Sequence, residues 1–373
     1  RVFEKIYNDR IIENDWLKSS SFYSMTSTII KPTLIFGKHY MPLKIHRFVI
    51  QNSGSGKRIA DEVISECVTY LGKDSIKLNE FTGAGVIGTI VTRLNGMGRN
   101  RIQIDEQRIG LLGRTDLLVI DEAKTLIIPN QHSLDLRSTL NGFLETRNVR
   151  KEMAKGSVNY KSNCVLSTGT HYFPGLNGVA LEDGFFQRFF FTYKKLSPNE
   201  ILAMSRKYGS MANGDYYRDI LPKLRELKEL YNNLDQEKYA NKIIKGDNKY
   251  IIKYYTKLSN DVSNEFGNRV DDWFDKNLLN SFNNELVNMQ VSSFLFRAKN
   301  LGYKIMAHNS ILDGEKEISS ANVEPAFNVV KEHLLSLKDF IIDIYERTTY
   351  NTENLGYKNK LFNILTAKKL ITS

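Results

Sequence analysis

The sequence predicts an α/β fold in which a parallel sheet is flanked by helices, followed by an all-helical part. Three features support this prediction. The apolar run Phe48–Ile50 leads through a Gly-rich loop into a helical pattern, which is typical of a strand, a phosphate-binding loop and a helix. Leu117–Ile120 is a continuous apolar run, as expected for a parallel strand covered on both faces. From Ser197 onward, apolar residues recur at helical spacing almost throughout.

Size and charge narrow the class of protein. With 373 residues, the chain is long enough for two or three domains. The net charge of +10 favours a polyanionic partner, most often nucleic acid, although many basic proteins are simply soluble ones. Cys67 and Cys164 have no Cys/His cluster around them and are predicted to be reduced core residues, which fits a cytoplasmic protein. No apolar run is long enough to span a bilayer, so we expect no membrane partner.

The Gly-rich loop is the first candidate binding site. Backbone N–H groups of such a loop, together with a helix N-terminus, can bind the phosphates of ATP, and Lys57 can reach the outer phosphates. Gly56 and Lys57 match the phosphate-loop consensus, whereas Gln51 replaces its first glycine and Arg58 replaces the Ser/Thr that binds magnesium. The motif alone leaves a plain Gly-rich turn open. The predicted nucleotide-binding residues are Ser53, Gly54, Ser55, Gly56, Lys57 and Arg58.

Two carboxylates follow the second predicted strand directly. Asp121 and Glu122 come immediately after Leu117–Ile120, at the carboxyl end where open α/β sheets bind ligands. We expect Asp121 to hold Mg²⁺, usually through water, and Glu122 to polarise the attacking water. A strand that simply ends in Asp-Glu is the alternative.

Two basic turns are candidate nucleic-acid contacts. Residues 149–153 and 158–160 flank a short turn and predict a β-hairpin with Lys155 at its tip, and Arg150 and Lys151 lie on its first strand. Exposed cations of this kind suit a phosphate backbone, although lysines on turns are often simply solvated. A second Gly-rich turn, which carries Arg99 and Arg101, predicts a further hairpin or surface excursion.

Read together, residues 46–191 resemble the ATPase core of the minichromosome maintenance (MCM) helicases, within the AAA+ class. The segment 51–58 resembles Walker A and 117–122 resembles Walker B. Residues 82–91 are similar to the segment that carries the family's helix-2 insert, and 152–156 to its pre-sensor-1 hairpin. No cysteine set could build the zinc site of the family's amino-terminal OB-fold domain, so the resemblance is nearer to plasmid- or virus-type members.

The resemblance implies roles for further residues. Lys155 would face the pore and meet DNA, with Arg99 and Arg101 in secondary roles. The strand-end polar residue called sensor 1 falls on Thr170, with Thr168 as the near alternative, where the family usually has Asn.

Two arginines complete the implied catalytic set. Arg188, just before the last core strand, is similar to the arginine finger that a neighbouring subunit inserts, and Arg297 stands where a sensor-2 arginine would lie in the lid.

We therefore expect a helical lead-in over residues 1–32, an AAA+ core over 33–195, an all-helical lid over 196–350, and the start of a winged-helix-like unit over 351–373. The resemblance implies an ATP-dependent DNA helicase or translocase of replication, in a mobile or viral element, acting as a hexameric ring at the nucleoid.

Two alternatives stay open. A hydrolysis-deficient AAA+ module that binds or assembles on DNA is favoured by Arg58. An AAA+ remodeller of proteins has less support, because no aromatic-hydrophobic-Gly pore loop is evident.

Overall fold

A computed structural model describes residues 2–10, 15–37, 39–52, 54–95, 102–127, 131–171, 184–211, 216–234, 236–245, 250–279 and 285–344. The predicted winged-helix-like unit over 351–373 lies outside these ranges. The strands are β1 (Thr33–Phe36), β2 (His39–Pro42), β3 (Arg47–Gln51), β4 (Ser75–Leu78), β5 (Gly88–Asn95), β6 (Ile102–Ile109), β7 (Leu117–Ile120), β8 (Asn148–Met153), β9 (Gly156–Lys161), β10 (Val165–His171), β11 (Phe190–Lys194), β12 (Ala240–Lys245) and β13 (Tyr250–Lys257).

The helices are interspersed among these strands along the chain. They are α1 (Val2–Arg10), α2 (Lys18–Ile29), α3 (Lys57–Tyr70), α4 (Gly83–Ile87), α5 (Lys124–Ile127), α6 (Gln131–Thr146), α7 (Pro198–Met211), α8 (Tyr216–Asn232), α9 (Asn260–Asn277), α10 (Glu285–Ser293), α11 (Leu295–Leu312) and α12 (323–344). The predicted helical lead-in is thus present as α1 and α2.

A five-stranded, all-parallel sheet forms the centre of the molecule, in the spatial order β11-β3-β10-β7-β4. Every residue of β7 is buried, which confirms the prediction that this strand is covered on both faces, and every residue of β3 is buried as well. β3 leads into the Gly-rich loop, and β7 leads into the acidic pair. A single strand, β10, lies between them in the sheet. The ends of all three strands therefore meet at one edge of the sheet.

One face of the sheet is packed with phenylalanines. Phe48 of β3 contacts Phe186 and Phe189, with ring centroids 4.9 and 5.4 Å apart. Phe185 and Phe191 complete the cluster, and all five side chains are buried. The burial of several aromatic rings in one contiguous cluster fixes the segment that precedes β11 against the sheet.

The opposite face carries a buried ion pair beneath α3. Nη1 of Arg47 donates to Oδ1 of Asp61 at 2.6 Å, and both side chains are almost fully buried. The hydroxyl of Ser167 on β10 donates to the same carboxylate oxygen at 3.0 Å. Removing either partner of a buried ion pair would leave an uncompensated buried charge, so this cluster fixes α3 over β3 and β10.

The part of the chain after residue 196 is not all helical, which corrects the prediction of an all-helical lid. β12 and β13 form an antiparallel hairpin, and β13 pairs in parallel with β1 in a second sheet of order β12-β13-β1-β2. The sequence at 250–255 is rich in Ile and Tyr, which favour strands once a partner strand is available. That partner, β1, lies more than 200 residues earlier, so helical spacing alone missed it.

Helix α12 covers the β11 edge of the central sheet. The backbone N–H of Phe191 donates to Nδ1 of His333 at 3.1 Å, and the hydroxyl of Tyr193 donates to Oδ2 of Asp343 at 2.7 Å. Burial lowers the pKa of His333 to about 4, so the imidazole is neutral and can accept at Nδ1. Polar side chains of α12 thereby pair a strand edge that would otherwise be open.

Candidate functional site

The Gly-rich loop between β3 and α3 has the geometry of an anion cradle. Gly54 and Gly56 adopt left-handed backbone conformations, with φ of 77° and 83°. Glycine reaches this region without steric cost, and alternation of left- and right-handed residues turns successive N–H groups toward one point. Gly56 is the N-cap of α3, and no acidic residue stands in the first turn of that helix. The helix N-terminus therefore offers a net positive end to a phosphate.

Lys57 lies in the floor of the cleft next to this loop. Its side chain runs over β10 at Gly169, where an added Cβ would stand 3.7 Å from Cδ of Lys57. Burial lowers the pKa of Lys57, and the charges of Glu122 and Asp121 act in the opposite direction. Lys57 and the acidic pair therefore lie near one another in the fold.

These residues border a cleft of about 550 Å³, a volume typical of small-molecule sites. Its lining is mixed in chemistry. The loop glycines, Lys57 and the acidic pair are joined by the apolar side chains of Ile59, Ile201 and Met204. The full lining is Arg10, Gly54, Ser55, Gly56, Lys57, Arg58, Ile59, Asp121, Glu122, His171, Ile201, Met204 and Ser205. The predicted site residue Ser53 lies outside the described ranges.

Asp121 could hold a magnesium ion, but a lysine already faces it. Nζ of Lys77 on β4 lies 3.4 Å from Oδ2 of Asp121, and both side chains are largely buried. Within the described part of the chain, no three His, Cys, Asp or Glu side chains are grouped as a metal site. Mg²⁺ commonly uses only one or two protein carboxylates and takes its other ligands from phosphates and water. Asp121 therefore suits a phosphate-bound magnesium ion, in competition with Lys77.

Arg58 does not point at the metal position. Its side chain is 74% exposed, and its Nε donates to Oε1 of Glu62 one turn along α3, at 3.1 Å. The guanidinium lies at the rim of the cleft, so the cation repulsion that this substitution suggests is weakened by solvent and by the pairing. Arg58 nevertheless provides no hydroxyl group to bind magnesium.

The polar side chain of β10 that reaches the cleft is His171. Its Nδ1 lies 3.1 Å from Oε2 of Glu122. Thr170, the residue predicted for this role, is buried, and its hydroxyl donates to the carbonyl of His171 in its own strand. The near alternative Thr168 donates to the carbonyl of Arg47. Side chains alternate along a strand, so a register that directs Gly169 toward Lys57 also directs His171, and not Thr170, toward the cleft.

Arg188 and Arg297 lie in a different place from the cleft. They meet on Glu145 of α6: Nε of Arg188 donates to Oε1 at 2.8 Å, and Nη2 of Arg297 pairs with the same oxygen. Both arginines line a second cavity of about 590 Å³ and neither lines the cleft of Lys57. Within one chain, the two arginines are therefore neighbours of each other and not of the phosphate loop.

The predicted basic hairpin is present as β8 and β9, with Lys155 in its turn. Nζ of Lys155 donates to the hydroxyl of Thr92 on β5 at 3.0 Å, so the tip contacts the second hairpin, β5–β6. The Tyr160 hydroxyl fixes the base of β9 by donating to the carbonyl of Ile87 at 2.6 Å. Arg150 pairs with Glu152 on an exposed face. Arg99 and Arg101, which fall between β5 and β6 in the sequence, lie outside the described ranges.

Lys151 is half buried on the inward side of β8. A Cβ added to Gly83 would lie 3.9 Å from its Nζ, which directs Lys151 toward α4 rather than toward the hairpin tip.

Among the described helices, none combines the length and the apolar composition needed to cross a bilayer. No protein-family model matches the sequence, and no curated protein matches it significantly.

Proposed function

We propose that this chain is an ATP-dependent DNA helicase or translocase of the MCM-like AAA+ type, acting in DNA replication of a mobile or viral element. The observation that carries the proposal is the meeting of Lys57, Asp121 and Glu122 in one cleft under a left-handed glycine loop. A cation, two carboxylates and a helix N-terminus are the groups that phosphoryl transfer from ATP requires. Its place in the cell would be the cytoplasm, at the nucleoid.

In this mechanism the loop N–H groups and Lys57 bind the β- and γ-phosphates. Magnesium, held through Asp121 and the phosphates, would neutralise phosphate charge when bound. Glu122 accepts a hydrogen bond from the attacking water and orients it toward the γ-phosphate. His171 fixes the Glu122 carboxylate, since its ring nitrogen lies within hydrogen-bond distance of it.

In the proposed assembly, a neighbouring copy would supply the arginines that the cleft of Lys57 lacks. Arg188 and Arg297 line a different cavity from the cleft of Lys57, which supports a role for them at the nucleotide of a neighbouring copy. A closed ring, with six copies as the expected number, places each pair of arginines against the next cleft. Arginine groups brought to a transferring phosphate stabilise its developing charge.

DNA would be moved by the paired hairpins. Lys155 at the tip of β8–β9 contacts β5 through Thr92, so the two hairpins form one projecting unit. Lysine and arginine on such a projection bind phosphates of single-stranded or forked DNA without reading its bases.

The hydrolysis test uses Glu122→Gln, which keeps the size of the side chain. We expect nucleotide binding to persist and phosphate release to fall below detection, because the water loses its acceptor. Wild-type turnover in this variant would refute the active-site assignment.

For DNA, Lys155→Ala should reduce DNA-stimulated turnover and leave basal turnover intact, with Lys161→Ala as a control on the same hairpin. Normal unwinding by Lys155→Ala would contradict the role of the tip.

A second candidate function is a nucleotide-binding DNA-assembly module without hydrolysis. It is favoured by the pairing of Asp121 with Lys77 and by the missing hydroxyl at Arg58. Phosphate release by the wild-type chain, with and without single-stranded DNA, separates the two functions.

A further inference from the structure

The second cavity is unusually rich in cations. Among the described residues that line it, Glu145 is the one carboxylate, whereas Lys44, Arg188, Arg297, Lys299 and Lys304 are basic. Lys299 is partly neutralised by Asp271, with Nζ 2.6 Å from Oδ2. Burial lowers the pKa of Lys44 to about 7 and that of Lys304 to about 8, so Lys44 is only partly charged near neutral pH. The two arginines by themselves still outnumber the single carboxylate, which favours binding of an anion with more than one negative charge.

Glu145 holds the two arginines together through a single oxygen atom. Oε1 accepts from Nε of Arg188 and from Nη2 of Arg297. The side chains of Glu145, Arg188 and Arg297 are 33%, 16% and 29% exposed, so the cluster is open to an incoming ligand.

Further contacts hold the segments that carry the two arginines in place. Nη1 of Arg188 also donates to the carbonyl of Gly184, which orients its guanidinium. The neighbouring Gln187 donates from Nε2 to the hydroxyl of Ser293 at 3.0 Å, so this turn is tied to α10, just ahead of the helix that carries Arg297. The spacing of the two guanidinium groups therefore does not depend on Glu145 alone.

A phosphate group is a stronger partner for this pair than a carboxylate is. It offers three acceptor oxygens and up to two negative charges, and it matches the planar fork of arginine. Because Glu145 occupies the position between the two forks, a phosphate can enter only by displacing it.

We propose that Glu145 is a displaceable substitute for phosphate: it holds Arg188 and Arg297 side by side in the free chain and yields them to the terminal phosphate of a nucleotide bound by a second copy. Glu145 is thus a positioning residue that opposes anion binding at this cavity. The identity of the anion's carrier rests on the proposed function, whereas the competition between Glu145 and a phosphate does not.

The direct test measures pyrophosphate binding by calorimetry in a Lys57→Met background, where the chain's own phosphate loop has lost its lysine. Adding Glu145→Gln should tighten pyrophosphate binding about fivefold, because a half-exposed ion pair no longer competes. Glu152→Gln, which removes an exposed carboxylate paired with Arg150, is the matched control and should change nothing. Adding Arg188→Met to Glu145→Gln should remove the gain.

Unchanged, weaker or undetectable pyrophosphate binding in Glu145→Gln overturns the proposal, as does a gain that survives Arg188→Met. Thermal melts of each variant identify loss of folding, and Glu145→Ala repeats the test if Glu145→Gln melts early.

A second measurement connects the cavity to assembly. With Lys57 intact and a non-hydrolysable ATP analogue present, Glu145→Gln should self-associate at a protein concentration several-fold lower than wild type, measured by sedimentation velocity. A wild-type chain that binds no nucleotide or does not self-associate would refute the proposed function, and the pyrophosphate titration would still decide the role of Glu145.

Discussion

His171 and Glu122 face each other at the end of the central sheet, with 3.1 Å between Nδ1 of the imidazole and Oε2 of the carboxylate. The pairing joins the end of β10 to the second residue after β7, so it exists only because these strands are neighbours. We expect His171→Ala to lower the turnover of ATP about tenfold, since the base loses its orienting partner, and to leave nucleotide affinity nearly unchanged. Steady-state phosphate release and nucleotide titration measure the two effects.

The control for this prediction is Thr170→Val. It has nearly the same shape and lies on the opposite face of β10, so its turnover should stay near wild type. Equal losses in the two variants would show that β10 acts only through its stability, and an unaffected His171→Ala would remove the role of the imidazole.

Lys77 should control the magnesium requirement. Because its ammonium lies 3.4 Å from Asp121, it competes with a metal for the same carboxylate. Lys77→Met should lower the Mg²⁺ concentration for half-maximal ATPase by about fivefold, the effect of removing a partly exposed cation. Lys73→Met is the control, since Lys73 lies by Asp116 at 4.0 Å and away from the cleft. A higher magnesium requirement in Lys77→Met would contradict the competition.

Gly169 leaves the path of Lys57 open. An added Cβ would lie 3.7 Å from Cδ of Lys57 and 3.4 Å from the carbonyl of Val49, which a methyl group tolerates. The two further methyl groups of valine would meet the lysine chain. Gly169→Ala should therefore bind nucleotide like wild type, and Gly169→Val should bind about tenfold more weakly, as overpacking of a filled site predicts. Titration with a fluorescent ATP analogue measures the affinities of both variants, and melting curves check that they are folded. Equal affinities in the two variants would exclude this packing constraint.

We expect Lys44 to make the free energy of unfolding depend on pH in the alkaline range. Burial lowers the pKa of Lys44 from 10.5 to about 7, and its Nζ donates to the carbonyl of Ser27. Between these two values the unfolded chain binds more protons than the folded one, so the free energy of unfolding rises with pH. The stabilisation that comes with a neutral Lys44 is complete above pH 10.5 and is lost as the pH falls through about 7.

Urea unfolding at pH values from neutral to about 9 tests this prediction. The stability of Lys44→Met should rise less with pH than that of wild type, whereas exposed-surface Lys155→Met should follow wild type. Parallel slopes for Lys44→Met and wild type would contradict the assignment.

The loop and the acidic pair could be predicted because their signals are local. Glycines that a left-handed turn requires, a lysine at the start of a helix, and carboxylates directly after an apolar strand are all readable within a few residues. The β8–β9 hairpin was predictable for the same reason. Thr170 was predicted, with Thr168 as the near alternative, but the side chain of β10 that lines the cleft is His171, because the register of β10 against β3 decides which alternate residues face it.

Contacts between distant segments were not predictable. The pairing of β13 with β1 joins residues more than 200 positions apart, and it changed a predicted helical region into part of a sheet. The shared carboxylate of Glu145 and the lysine opposite Asp121 also depend on which elements become neighbours.

From the sequence alone, the chain's central chemistry could be located: a glycine loop with Lys57, and Asp121 with Glu122 at the end of a buried strand, because backbone conformation and strand burial follow from nearby residues. The tertiary structure decided which side chains accompany them, placing His171 beside Glu122, Lys77 beside Asp121, and both predicted arginines together on Glu145. Strand order and register set those contacts, and both depend on pairings between segments far apart in the chain.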